Sequence, residues 1–178
     1  NVYGRIDEDV WRRDFTCNAL YYNIADFSIW DYVGGVEDVR QKQLVLIGDP
    51  EVRLREDPVR MLRAVRFAAK LEFTIDQPVV DAMHHHAPLL ANVPPARLFD
   101  EFLKLFQGGH AETTYDLLRE HGLFGEMFPA TEQELVQDDA FGHFVRAALQ
   151  NTDRRVASGK SVTPMFLLGV FFWMPVVK

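Results

Sequence analysis

A single cysteine, Cys17, stands in the whole chain, so no disulfide framework is available and a reducing cytoplasm is the natural compartment. No secretory leader is visible at the N-terminus. The most apolar run, Met165 to Val177, falls well short of the roughly 20 residues that cross a bilayer, and is expected to be a buried helix instead. An excess of positive charge is also missing: the formal net charge is −7, which argues against wholesale wrapping of nucleic acid while leaving room for a local basic site. No internal repeat at fixed period and no low-complexity tract interrupts the chain.

What is present is ordinary globular material, 48% hydrophobic and 25% charged over 178 residues, enough for a real core in one domain or two small ones. Residues 1 to 13 are polar and read as a loop or strand end. Asn18 to Ile24 and Ser28 to Tyr32 are rich in aromatic and β-branched residues and read as a strand pair. Gly34-Gly35 breaks that pattern, Val36 to Arg40 reads as a short helical turn, and Leu44 to Ile47 as a last short strand. From Asp49 the periodicity is helical. Helices are expected over Val79–Leu90, Ala96–Phe106, Glu112–Glu120, about Asp139–Val156 and from Pro164 onward. Leu123–Pro129 reads as an apolar connector and Thr131–Asp139 as an acidic, partly exposed stretch. Short connections favour antiparallel neighbours packed as a helical array. The fold expected is mainly α, with a small β portion at the N-terminus.

The most informative stretch is Asp49 to Glu72, DPEVRLREDPVRMLRAVRFAAKLE, read as one long amphipathic helix. On a 100° wheel, Arg60, Arg63 and Lys70 fall within about 40° of Glu56, with Arg66 about 80° away. Met61, Leu62, Ala64, Val65, Ala68 and Ala69 fill the opposite, core-facing side. Pro58 belongs in a first turn, so the regular helix is expected to start near Glu56 or Asp57, where carboxylates suit the helix dipole and Glu56 can pair with Arg60. Pro50 to Glu72 carries six Arg and Lys against four Asp and Glu, a net of +2 inside an acidic chain. A solvated, salt-bridged helix would explain a mixture of charges. It does not explain Arg, rather than Lys, at positions 60, 63 and 66, since only guanidinium offers the planar fork that matches phosphates and base edges.

Two further stretches carry chemistry. In Arg12-Arg13-Asp14-Phe15-Thr16-Cys17-Asn18-Ala19, two arginines precede an aspartate at the entrance to the strand pair, a set able to hold a polyphosphate and help seat a metal or ribose hydroxyl, though taken alone it reads first as a loop ion pair. Asp31-Tyr32-Val33-Gly34-Gly35 alone says only that the chain turns tightly.

Taken together in this order and spacing, RRDFTCNAL, DYVGGVEDV and REDPVRMLRAVRFAAKL resemble the bacterial poly(A) polymerase and tRNA CCA-adding family of class II template-independent nucleotidyltransferases. The likeness runs over most of the chain and weakens after about Pro129. LIGDPEVRLREDPVRMLRA and PPARLFDEFLKLFQGG followed by LLREHGLFGEMFP lean toward the poly(A) polymerase branch. The resemblance implies an end of a catalytic head over residues 1–48, a helical neck over 49–129 with the nucleotide-selecting helix, and the start of a truncated body or RNA-binding region over 130–178. It implies a cytoplasmic enzyme of RNA 3′-end processing that adds AMP from ATP to RNA 3′ ends with Mg²⁺, releasing pyrophosphate. RNA-decay protein partners are not identified by it.

Carried over position by position, the resemblance places Asp14 at the active site near metal and ribose, and Arg13 on the nucleotide. Asp57 and Arg60 become the readers of the base edge, Arg63 and Arg66 assist nucleotide binding, and Asn18 occupies the motif's Asn position. Arg12 and Glu56 are supporting residues. Asp31, Gly34 and Gly35 form the turn joining head to neck. The physical logic is that an Asp accepts from an exocyclic amine while an Arg donates to a ring acceptor, so two side chains read a base without a template. One departure is large. The family's glycine-rich G-G-x-x-R-D segment and its D-x-D carboxylate pair, which binds two Mg²⁺ ions, do not precede the RRD motif here. Asp7-Glu8-Asp9 is D-x-D only formally, following no strand–turn–glycine segment, so no metal site is expected within the chain. Both ends read as cut, and a piece of a longer, catalytically incomplete protein is expected.

Other candidates are bland. Consecutive His84, His85 and His86 point about 100° apart on a helix and do not chelate one ion together. His110, His121 and His143 lack partners at ligand spacing, Gly159-Lys160-Ser161 lacks the upstream glycine of a phosphate loop, and Phe166, Phe171, Phe172 and Trp173 are read as core. Two rival functions stay open: a CCA-adding enzyme alternating CTP and ATP on tRNA, and a non-catalytic helical module binding RNA or protein.

Overall fold

The computed structural model describes residues 5–178; residues 1–4, where the expected head segment begins, lie outside the described residues. A small β portion and a helical array make up the fold, as expected. Helix α1 (Ile6–Arg12) leads through a 3-10 turn at Thr16–Asn18 into the antiparallel pair β1 (Leu20–Tyr22) and β2 (Ile29–Asp31), with Tyr21 opposite Trp30. After α2 (Gly35–Arg40) and β3 (Gln43–Leu44) the chain enters α3 (Pro50–Glu56) and α4 (Val59–Leu71), then β4 (Thr74–Ile75), which pairs in parallel with β3. The array continues with α5 (Gln77–His86), a 3-10 segment at Ala87–Asn92, α6 (Pro95–Phe106), α7 (Ala111–Glu120), α8 (Leu123–Met127), α9 (Pro129–Gln137), α10 (Asp139–Ala157) and α11 (Pro164–Val177).

Four sequence expectations need correction. Residues 6–12 are a helix rather than loop or strand, its first turn carrying Asp7, Glu8 and Asp9 at the positive end of the dipole and its last turn Arg12. The connector Leu123–Pro129 and the acidic stretch after it are helices α8 and α9, separated at Phe128 and started afresh by Pro129 at the first helical position. Of the four C-terminal aromatics, only Phe171 is fully buried, while Phe166, Phe172 and Trp173 are exposed, because one face of an all-apolar α11 packs on the array.

The fourth correction concerns the helix over Asp49–Glu72, which is two helices. Proline disfavours helical angles in the residue before it, and Asp57, preceding Pro58, is extended at φ −145°, ψ 93°. The break brings Asp57 to the head of α4, where its Oδ1 accepts from the Val59 amide at 3.3 Å. The α4 stripe of Met61, Leu62, Ala64, Val65, Ala68 and Ala69 is buried, as its periodicity predicts. Its three alanines let α6 and α7 approach closely, and one core runs from Phe15 to Phe171. At its far end Phe102, Phe106, Phe124, Phe128 and Phe171 pack with ring centroids 5.1–6.2 Å apart.

The turn between β2 and α2 is held by one carboxylate. Asp31 accepts from the amides of Val33, Gly34 and Gly35 with Oδ1, at 3.2, 3.0 and 2.9 Å, and from Val36 with Oδ2 at 2.9 Å. Burial pushes its pKa up, but these backbone bonds outweigh it and hold the group below the ordinary 3.8. Gly34 has φ +83°, and a Cβ on Gly35 would lie 2.2 Å from the Thr16 carbonyl oxygen. Gly35→Ala is therefore expected to cost about 3 kcal/mol or more in urea unfolding, by forcing backbone apart, and Gly34→Ala only about 1–2 kcal/mol, the cost of a left-handed angle. Equal losses in the two variants would show that the close approach to Thr16 is unimportant.

Candidate nucleotide-binding cleft

The cleft forms where the RRD segment crosses the α3–α4 break. Backbone bonds fix Asp14 from both sides: its carbonyl accepts from the Ile47 amide at 2.8 Å, and the Thr16 amide donates to the Val45 carbonyl at 3.0 Å. The next two side chains clip onto one face of α4 at i and i+4. Asp14 Oδ2 accepts from Arg63 Nε, and Phe15, fully buried, meets the edge of Phe67 with centroids 5.6 Å apart. Asp14 Oδ1 also accepts from Asn18 Nδ2 at 2.7 Å and from the Phe15 amide at 3.1 Å. Only 7% of Asp14 is exposed. Burial alone would raise its pKa, yet the bonds from Arg63 and Asn18 prevail and keep it below the ordinary 3.8.

The arginines are braced in a chain. Arg13 donates through Nε and Nη2 to Asp9 Oδ2, at 3.0 and 2.9 Å, and through Nη1 to the Asn18 carbonyl at 3.2 Å, while its guanidinium lies 5.4 Å from the Tyr21 ring centroid. Asp9 also accepts from the Tyr21 hydroxyl at 2.7 Å. Arg53 Nη2 donates to the Arg13 carbonyl, and Arg60 Nη1 to the Arg53 carbonyl, both at 2.7 Å. Glu56 lies 3.4 Å from Arg53 and from Arg60, giving the expected i,i+4 pair. Across the seam, Arg97 in the first turn of α6 donates to Asp57 Oδ2 at 2.8 Å.

The result is an open cleft of about 280 Å³ lined by Arg12, Arg13, Asp14, Asn18, Asp57, Arg60, Arg63 and Arg97. Five guanidinium groups face two carboxylates there, a net of +3. Its volume is near the lower end for a small-molecule site, and its donors suit an anionic ligand with a polar edge. Seven of these eight residues are among the sequence candidates. Arg97 is not, nor is Arg53, which reaches the site through the Arg13 backbone. Glu56 braces Arg60 from outside, Asp31, Gly34 and Gly35 form the separate turn, and Arg66 faces another cleft beside Glu101, 3.8 Å away. His85 Nδ1 and His86 Nε2 both meet Glu51 of α3, at 3.0 and 2.6 Å.

Two family models match the chain: one described as the poly A polymerase head domain, over residues 1–45, and one described as the probable RNA- and SrmB-binding site of polymerase A, over residues 72–135. Poly(A) polymerase I of Haemophilus influenzae is 50% identical over 98% of this chain and 39% of its own length. The chain belongs to the family of bacterial poly(A) polymerases and CCA-adding enzymes. A CCA-adding enzyme of Bacillus velezensis, a member of this family, is 36% identical over 76% of this chain and 35% of its own length. In structure, a tRNA nucleotidyltransferase complexed with a primer tRNA and an incoming ATP analog superposes with a TM-score of 0.71 at 24% identity, over 95% of this chain and 50% of that one, a likeness of fold. The chain thus spans about two fifths, 39%, of the poly(A) polymerases it matches.

The family's enzymes imply Mg²⁺, and the donors of this chain do not fit it. Asp14 spends both oxygens on Arg63, Asn18 and its neighbour's amide, and Asp9 is taken by Arg13 and Tyr21. Among the described residues no group of three or more His, Cys, Asp or Glu is arranged to hold a metal ion. Asp14 instead anchors Arg63. Asp14→Asn is expected to cost about 1–3 kcal/mol at pH 7, the loss of a charged, buried hydrogen-bond partner. Because the folded pKa is lowered, this stabilisation is present above the unfolded value of about 3.9 and is lost as pH falls through the folded value. The gap between wild type and variant in urea midpoint should close below about pH 4. A gap constant from pH 7 to pH 3 would refute the pair's role.

Proposed function

We propose that this chain is the nucleotide-selecting portion of a template-independent RNA nucleotidyltransferase that adds AMP from ATP to RNA 3′ ends, releasing pyrophosphate. In this reading residues 1–48 end the catalytic head, 49–129 form the neck and 130–178 begin the body. The observation that carries it is the meeting of Asp57 and Arg60 in one arginine-lined cleft with Arg13, Asp14, Asn18 and Arg63. Arg60 is held by one terminal nitrogen, and its other fork nitrogens have no hydrogen-bond partner among the described residues, leaving donors for a ring acceptor. Asp57 is fixed by Arg97 and the Val59 amide, so it presents its acceptor at a set angle. Arg12, Arg13 and Arg63 supply charge for the phosphates. Arg66 lies on the far flank of α4 and is assigned no contact with the base.

The CCA-adding reading draws support from the solved enzymes of this fold, among them a Bacillus stearothermophilus CCA-adding enzyme in complex with CTP. The poly(A) reading is favoured because identity to the poly(A) polymerases extends over 98–100% of the chain, against 66–76% for the CCA-adding enzymes.

The chain by itself is expected to incorporate no AMP into an RNA primer with ATP and Mg²⁺, because the transfer needs carboxylates that its cleft does not offer. Robust polymerisation by these 178 residues would overturn that. In an intact enzyme carrying this region, Arg60→Ala should weaken ATP use and relax discrimination against CTP by about 1–3 kcal/mol, the value of one bidentate base contact. Arg97→Ala should relax discrimination in the same direction by releasing Asp57. Unchanged ATP-to-CTP ratios in both variants would mean that the base is read elsewhere.

A further inference from the structure

One backbone oxygen joins the two residues assigned to the base. The chain leaves α3 at Pro58, which has no N–H to continue the helical ladder. The last rung is the Asp57 amide on the Arg53 carbonyl, at 3.2 Å, and the same oxygen accepts from Arg60 Nη1 at 2.7 Å. The side chain of Arg53 makes the third link. Its Nη2 donates to the Arg13 carbonyl at 2.7 Å, the oxygen of the peptide that leads into Asp14, and its Nη1 lies 3.4 Å from Glu56. Only 16% of the side chain is exposed, and Nε is buried with no hydrogen-bond partner among the described residues. An N–H left in that state is unfavourable, so the guanidinium is oriented by the Arg13 carbonyl at the expense of its own satisfaction. Its stem runs past Gly48, where a Cβ would stand 3.5 Å from Arg53 Cγ and Cδ. Helix α3 does not drift with the N-terminal segment, because Leu54 is fully buried and Glu51 ties the helix to His85 and His86 of α5.

We infer that Arg53 is a specificity-positioning residue: it fixes the spacing between the RRD segment, which serves the phosphates, and the Asp57–Arg60 pair, which serves the base. This rests on the nucleotidyltransferase reading of the cleft. Arg53 lines no part of the cleft and its donors are turned into protein, so it acts through Arg13 and Arg60 and touches no ligand itself. A nucleotide whose base fits the pair has its phosphates delivered in one register. One whose base does not fit gains nothing from that spacing.

The test is the ratio of kcat/KM for ATP to that for CTP in an intact enzyme carrying this region. Arg53→Met keeps the stem and removes the donors. It should lower kcat/KM for ATP by about ten- to a hundredfold, the effect of a misplacement of about 1 Å, and that for CTP by less than about threefold. Unfolding lowers both substrates together and does not change the ratio. Arg53→Lys, which restores one donor for the Arg13 carbonyl, should recover most of the ratio. The charge-matched control Arg55→Met, on the same helix but exposed and without a hydrogen bond or ion pair among the described residues, should keep it. Because Arg53 acts through the base reader, Arg53→Met/Arg60→Ala should discriminate no worse than Arg60→Ala alone. Equal losses for ATP and CTP, no rescue by Lys, the same fall in Arg55→Met, or additive losses in the double variant would overturn the inference. Failure of the cleft's own reading is separable, because Arg60→Ala would then leave the ratio unchanged. A ratio that falls in Arg60→Ala and holds in Arg53→Met overturns the role of Arg53 alone.

Discussion

The contact on which the rest depends is the buried pair of Asp14 and Arg63. A carboxylate with 7% exposure is costly unless its charge is met by donors, and here Arg63, Asn18 and a backbone amide meet it. The pair has little value as a generic stabiliser, since apolar residues of similar volume often serve as well. Its value is placement. Together with Phe15 on Phe67, one helical turn further along, it fixes the N-terminal segment against α4 in both angle and register. Every other cleft residue from this segment, Arg12, Arg13 and Asn18, takes its position from that anchor.

Pro58 supplies the second constraint. An unbroken helix through this region would put Asp57 on the helix wall, about 60° from Arg60. The break places Asp57 in extended backbone at the head of α4, where it accepts from the Val59 amide and turns toward α6. Arg97 then becomes its partner across a tertiary seam. Helix α6 is therefore part of the cleft itself, since an acceptor contributed by the α3–α4 break is held by a donor from its first turn.

Legibility in the sequence followed the range of the forces involved. The buried stripe of α4, the starts of α6 and α11 at Pro95 and Pro164, and the glycine turn after Asp31 are set within a few residues, and periodicity and turn chemistry revealed them. The kink at Asp57 was legible in principle, because the effect of Pro58 on its predecessor is local, but the continuous apolar period across it concealed the break. The site arginines on α4 stood out through their spacing and their identity as Arg. Arg97 did not, because its role requires knowing that α6 packs on α4, and within PPARLF it reads as an ordinary charged residue of a first turn. Arg53 was hidden for the same reason, acting forty residues away on the Arg13 carbonyl.

An acidic chain carrying an arginine cleft presents an electrostatic tension that the geometry resolves. Five guanidinium groups around one small volume repel each other and, unbraced, would splay into solvent. Asp9, Asp14 and Asp57 each hold one arginine through part of its fork and Glu56 meets two, Arg53 and Arg60, while backbone carbonyls of Arg53 and Asn18 take further donors. Such bracing removes most of the conformational freedom that a ligand would otherwise have to freeze, and it does so without consuming every donor. It also explains how a locally basic cleft coexists with a net charge of −7, because the carboxylates that orient the arginines limit the reach of the positive field to the cleft. Under the proposed function, selection among nucleotides would rest on fixed donors and acceptors at short range, the arrangement needed where no template strand supplies the complementary edge.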